Sequence, residues 1–285
     1  MAEEKTQMNK EEIKTKNSTE RAEKIKEIRH ESRKNANLLA VMVVRNVKTM
    51  YRESVLGIIW TVLNPLLTMF VLSFVYSQLF GRDMVEMKYS VYVLSGMLVF
   101  NTFFRVGTTN GLTSIVSRRA LVMQTRIPVT CYPRIPVYTA LVNFAFAFIA
   151  LVIVMFIYKQ PFKPTLAMVF VLMPALMLFT LGASFILSVV YVYFRDIKNI
   201  YGVFVTLLNY VTPIFYTINV LNNPLFTKVL KFNPMYYYVD YFREIIIGHI
   251  PGWEMHLIIY GMGIFMYAFG YLFISVSKKK FIFHL

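Results

Sequence analysis

Residues 45–80, RNVKTMYRESVLGIIWTVLNPLLTMFVLSFVYSQLF, turn a water-facing chain into a membrane chain within one stretch. In its first half Arg45, Lys48, Thr49 and Arg52 recur at three- and four-residue steps, while Val43, Val44, Val47, Met50, Tyr51 and Val55 fill the other side of the helical wheel. Such a helix lies in the headgroup plane, cations toward water and anionic lipid. In its second half, Leu56 to Phe80 runs twenty-five residues without a formal charge. About 20 apolar residues suffice to cross ~30 Å of hydrocarbon, so this run predicts a spanning helix. Asn64-Pro65 lies inside it; the proline removes one backbone hydrogen bond and kinks the helix, tolerable where neighbours re-satisfy the freed carbonyl.

Composition demands several more such runs. The chain is 57% hydrophobic and 16% aromatic, with a mean hydropathy of +0.53, too apolar for a soluble domain of this size to hide. The net charge of +15 first suggests nucleic acid, yet thirteen of the thirty Lys and Arg precede Leu56 and most of the rest mark the ends of apolar runs. That is the positive-inside distribution of a polytopic membrane protein, and no nucleic-acid partner is expected. Cys131 is the single cysteine, so an intramolecular disulfide or a multi-cysteine metal cage is excluded. His30, His249, His256 and His284 contain no H-x-x-x-H pair, and no metal site is expected. The amino-terminal residues are charged every two or three positions and lack an apolar h-region, so no cleavable signal peptide is expected.

Residues 1–36, with ten Lys/Arg, eight Glu and no aromatic, read as a charged cytoplasmic tail, solvated helix or disordered arm. Residues 37–56 form the amphipathic interface helix, and 57–280 a six-span transmembrane domain. The second span is Tyr89 to about Leu112, with Gly107 and Gly111 spaced for close helix approach. It holds Arg105, the one formal charge well inside a span. Two readings stand: Arg105 lines a watery path, or it snorkels to the cytoplasmic side. The stretch TSIVSRRALVMQTRIPVTCYPRIP, residues 113–136, carries four arginines and no acid and reads as a cytoplasmic loop. Within it Ser117 to Thr125 predicts two helical turns, N-capped by Ser114 or Ser117 and stopped at Ile127-Pro128. The third span is Val137 to Tyr158, the fourth Thr165 to about Phe194, the fifth Asn199 to about Tyr216, and the sixth His256 to Val276. With that assignment twenty-two cations fall inside and seven outside, Arg243 among the seven. Both termini are therefore expected in the cytoplasm.

Residues 217–255 are too apolar for a loop and too interrupted by Pro224, Pro234 and Pro251 for a span. Asn233-Pro234 is an N-cap followed by proline at the first helical position, and Gly248 a stop. Between them Met235, Tyr238, Val239, Phe242, Ile245 and Ile246 make one apolar face, with Asp240, Arg243 and Glu244 on another. One or two re-entrant helices are expected, dipping from the outside; the alternative is a helix resting on the outer leaflet.

An energy source is absent from the chain. No glycine is followed by lysine, which excludes a Walker A loop, and the acids fall at or beyond span ends, which disfavours an ion-driven carrier. No catalytic constellation is visible, against a glycan-processing enzyme. If ATP drives this protein, another polypeptide binds it.

The run Tyr51-Arg-Glu-Ser-Val-Leu-Gly-Ile-Ile-Trp60 with Leu63-Asn-Pro-Leu66 resembles the opening of the permease subunits of ABC polysaccharide exporters, which export O-antigen, teichoic acid and capsule chains. Ile127-Pro128, Tyr193-Phe-Arg-Asp-Ile197 and Asn233-Pro-Met-Tyr-Tyr-Tyr continue the resemblance in order, over about residues 40 to 280. The resemblance implies an all-α half-transporter in a bacterial or archaeal cytoplasmic membrane. Two copies would form the pore for a lipid-linked glycan, above two copies of a separate ATPase that binds ATP and Mg2+, leaving this chain without a cofactor. It implies ATPase contacts at Arg45, Lys48, Tyr51, Arg52, Arg118, Arg119, Gln124, Arg126, Arg195 and Asp196. It also implies a path lined by aromatics, for which the candidates beside Arg105 are Tyr191, Tyr193, Phe215, Tyr216, Tyr236 and Tyr237. Packing or interface anchoring is the simpler explanation for each aromatic taken alone. An ABC exporter of a small lipid or drug shares the layout and is the alternative.

Overall fold

A computed structural model describes residue 26 and residues 33–49, 57, 59–80, 87–124, 127–216 and 224–277. The described elements are all helical. Residues 33–49 form α1, followed by α2 (Ile59–Phe80), α3 (Tyr89–Met97), a π-helical turn (Leu98–Arg105) and α4 (Val106–Thr113). A 3₁₀ turn (Val116–Arg118) leads into α5 (Arg119–Gln124) and α6 (Cys131–Ile157). Then come α7 (Val169–Tyr193), α8 (Ile197–Val211), α9 (Pro224–Phe232), α10 (Pro234–Ile247) and α11 (Trp253–Ser277). The chain divides at Met42/Val43 into two units, and the second holds everything that follows.

Among the described residues four helices are long and apolar enough to cross a membrane: Tyr89–Thr113, Cys131–Ile157, Pro164–Tyr193 and Trp253–Ser277. Hydroxyls inside them turn back on their own backbone: Ser95 Oγ donates to the Tyr92 carbonyl at 2.8 Å, Thr108 Oγ1 to Phe104 at 2.8 Å, and Thr180 Oγ1 to Leu176 at 2.8 Å. A polar group in hydrocarbon thereby keeps a partner without water.

The bundle is drawn together by small residues. Gly107 and Gly111 on α4 sit against Thr180 and Ser184 on α7, where a Cβ on either glycine would collide with those side chains. The G-x-x-x-G step thus meets a matching four-residue step on its neighbour. On the opposite side of α7, a Cβ at Gly182 would enter the Met266 carbonyl of α11, one at Gly270 the Gly182 carbonyl, and one at Gly263 would lie 2.7 Å from the Ala175 carbonyl. Backbone packs on backbone along this seam, close enough for dispersion to hold helices where lipid supplies no hydrophobic drive.

Several expectations change. α6 begins at Cys131, six residues before Val137, with Pro133 in its first turn and Pro136 inside. Pro133 costs little because first-turn N–H groups have no helical partner, and the Ser184 hydroxyl donates to its carbonyl at 3.1 Å. Ser114 and Ser117 do not cap a helix; Ser114 Oγ donates back to Gly111 at 2.6 Å and Ser117 Oγ to Ser114 at 3.4 Å. The short helix is accordingly reduced to α5 behind its 3₁₀ turn. The fifth run stops early: α8 has 15 residues, ~22 Å at 1.5 Å per residue, and ends at Thr212-Pro213. Val44, expected on the apolar side of the amphipathic helix, is 53% exposed, whereas Val43 is buried.

α10 forms as the local signals require. The Asn233 side chain accepts from the Met235 amide, Pro234 opens the first turn, and Gly248 closes the helix with φ 107°. Cys131 is buried at the start of α6.

Candidate functional site

The most constrained polar centre lies at the unwound end of α8. Arg243, midway along α10, is 6% exposed. Its Nη1 donates to the Pro213 carbonyl at 2.7 Å, and its Nη2 to the Ile214 and Tyr92 carbonyls, each at 3.2 Å. The guanidinium carbon sits 3.4 Å from the centre of the Tyr92 ring, a stacking that suits a planar cation taken out of water. The Tyr92 hydroxyl donates to the Tyr216 carbonyl at 2.8 Å, and Tyr89 donates to Phe215 at 2.9 Å. From the other side Asn233 Nδ2 donates to Thr212 Oγ1 at 2.8 Å. The carbonyls of residues 213–216, which the broken helix would leave bare, are thus satisfied by α3 and α10, and that of Thr212 by the Ile214 amide at 2.7 Å. Gly96 makes room: a Cβ there would stand 2.9 Å from Arg243 Nη2 and 3.1 Å from Ile214 Cγ2. Placing Arg243 on a polar outer face was therefore wrong. Its neighbours Val239 and Ile246, four residues before and three after, are buried with it, and that stripe was the signal to read.

A second polar centre joins three elements at the arginine loop. Asn46 of α1 donates through Nδ2 to Thr139 Oγ1 of α6 at 3.2 Å and accepts through Oδ1 from Arg118 Nη2 at 3.3 Å. Arg118 Nη1 also reaches the Ser114 carbonyl at 3.5 Å. Half-buried here, Arg118 has its pKa pulled below the ordinary arginine value by desolvation. It is a structural tie rather than a free surface cation. Sequence reasoning passed over Asn46, although a lone carboxamide three residues after buried Val43 marks the buried side of that helix.

The remaining contact candidates are placed separately. Arg45, Lys48, Arg119, Gln124, Arg195 and Asp196 are exposed, and Arg195 stacks over the Tyr191 ring at 5.2 Å. Tyr51, Arg52 and Arg126 lie outside the described residues. Of the path candidates, Arg105, Tyr191, Phe215, Tyr216, Tyr236 and Tyr237 are half-buried, and Tyr193 is 41% exposed. Tyr236 and Tyr237 meet edge to face at 5.1 Å, and Tyr216 donates to the Tyr210 and Val211 carbonyls at 2.9 and 3.0 Å. A cavity of about 430 Å³ between α7 and α8, floored by Phe104 and Met266, is lined by none of the seven.

Comparison with known proteins gives the geometry a setting. The model of the ABC-2 type transporter family matches residues 37–247, from α1 through the last turn of α10. The chain is 25% identical over 248 residues to an O-antigen export system permease protein RfbA of Klebsiella pneumoniae, covering 86% of this chain and 93% of that protein. It is 30% identical over 217 residues to the protein of the same name from Myxococcus xanthus, covering 74% and 81% respectively. Both polar centres, with the helices that carry them, therefore lie inside the matched region, and the chain belongs to the ABC-2 type transporter membrane family.

Proposed function

We propose that the chain is the membrane subunit of an ATP-driven exporter carrying a lipid-linked cell-surface polysaccharide outward. Two copies form the path, and a separate pair of ATPase subunits hydrolyses ATP with Mg2+. The observation that carries this reading is the overlap with O-antigen export permeases over most of both chains, 93% of one relative and 81% of another. In the plane of the membrane we read six spans with both termini cytoplasmic, α2 being the first and α8 the fifth, and α9–α10 entering and leaving from the outer side. With buried Arg243 removed from the outer set, the cation asymmetry becomes twenty-two to six, which favours this orientation more strongly.

On this reading the exposed cations Arg45, Lys48, Arg119 and Arg195 face the ATPase, with Gln124 and Asp196 beside them, and Tyr51, Arg52 and Arg126, outside the described residues, are assigned to the same contact from the sequence. Asn46 transmits. A tilt of the ATPase against the arginine loop moves Arg118, and the carboxamide between Arg118 and Thr139 carries that displacement into α6.

Contact and transmission separate experimentally. Co-expressed with its ATPase partner, the tagged chain is expected to retain that subunit through detergent purification. Arg119→Ala combined with Arg45→Ala lowers the retained fraction most at low salt, and the difference from wild type shrinks as salt screens the cations that wild type still carries. Asn46→Ala leaves retention unchanged and lowers export per ATP hydrolysed. A chain that purifies without any ATPase, or an Asn46→Ala variant with normal coupling, overturns the corresponding half of the reading.

A further inference from the structure

The cavity between α7 and α8 has a shape and chemistry the export reading does not use. Its walls are Ala183 and Leu187 on α7 and Ile197, Phe204 and Leu208 on α8, above Phe104 of the π-helical turn. Tyr201 also faces it, but its hydroxyl is turned away and donates to Thr108 Oγ1. The wall is left wholly apolar, so water entering the cleft would find no partners, and a polar ligand would lose its own.

The cleft has a length and a charged end. From Ile197 to Leu208 eleven residues of helix rise ~16 Å, close to half of the ~30 Å hydrocarbon thickness. That is the depth of one leaflet. At the Ile197 end the chain turns through Arg195 and Asp196 into Lys198, all exposed, leaving a net charge of +1 where a headgroup would lie. Ile200 and Phe204, on its rim, are each 54% exposed, so the cleft is open from the side rather than sealed.

We infer that this cleft is a binding site for an anionic phospholipid of the adjoining leaflet, one acyl chain lying between α7 and α8 and its phosphate beside Lys198. The lipid fills the space between the two helices, and it holds α8 at its distance from α7. The single-leaflet depth favours a resident phospholipid over the tail of a transported glycan lipid. The inference stands whether or not the exported cargo is a polysaccharide.

The test is native mass spectrometry of the full chain in detergent after exposure to equimolar phosphatidylglycerol and phosphatidylcholine. Wild type is expected to retain one phosphatidylglycerol per chain, about five-fold over phosphatidylcholine. Lys198→Gln removes most of that preference without lowering total lipid. Ile200→Trp, which fills the rim from an exposed position, lowers retention of both. Lys198 belongs to no subunit contact assigned above, so loss of lipid selectivity with normal ATPase retention separates this site from the docking patch. Equal retention of the two lipids by wild type overturns the inference, as does unchanged binding by folded Ile200→Trp. Native extracts whose retained lipid is a glycan-bearing species overturn it too. The Lys198→Gln comparison decides the matter if Ile200→Trp fails to fold.

Discussion

Arg243 does more for the fold than any other charged side chain described. Three carbonyls and an aromatic face surround it, while its Nε finds no acceptor among the described residues. Removing the guanidinium leaves those carbonyls bare in an interior without water, and each buried acceptor left unsatisfied costs about 1–3 kcal/mol. Arg243→Ala is expected to lower the melting temperature in detergent sharply, and Gly96→Ala to cost about 1–3 kcal/mol by pressing on Nη2. In the double variant the glycine's penalty shrinks, because the group it collides with is gone; additive melting shifts would show that Gly96 answers to some other neighbour. The sequence disclosed what was local. Asn233, Pro234 and Gly248 announce their helix because each acts within two or three residues of itself. Arg243 was misplaced because the Tyr92 carbonyl lies 151 positions away, and nothing in a single chain's pattern couples two such positions. The tie of Arg118 to Asn46 was hidden for the same reason, the two standing 72 residues apart.

Among elements, the legible part was periodicity and the illegible part was where a helix must stop. α3 with α4, α7 and α11 fall within a few residues of their expected limits, since apolar runs bounded by charge or proline define them. α8 does not: it stops at its own Thr212-Pro213, and the partners that hold the unwound residues beyond, Tyr92 and Arg243, come from other helices. The seam of α7 and α11 was likewise invisible, its glycines being seven residues apart on α11 and needing a partner helix to give them meaning. Gly270→Val puts a branched side chain where the Gly182 carbonyl already lies. The helices must then separate along their length, and the folded yield by fluorescence-detected size exclusion is expected to fall several-fold. Gly261→Val, in open space on the same helix, is the control and should leave the yield unchanged.

For the molecule as a whole, composition and the placement of cations announced a polytopic membrane protein before any helix was located. Among the described residues, four helices long and apolar enough to cross a membrane agree with that outline. The candidate site was less legible: charge foretells exposure, as at Arg45, Lys48, Arg119 and Arg195, but neither what those cations meet nor which aromatics line a path can be read from one chain's pattern. Cation placement follows from chain-end chemistry, whereas the lining of a path depends on which faces a bundle turns inward.

One thiol gives this chain a built-in clock. Cys131 is 6% exposed at the first turn of α6, eight residues before the Thr139 that Asn46 grips, and no second cysteine competes for reagent. Its alkylation must wait for that turn to open, so with fast reclosure the labelling rate reports the population of the open state. Asn46→Ala should quicken the reaction by releasing α6 from α1. Should the rate instead prove indifferent to Asn46, the first turn of α6 breathes independently of the carboxamide. The unmodified chain therefore records, in the half-time of a single alkylation, how tightly its interface helix holds its span.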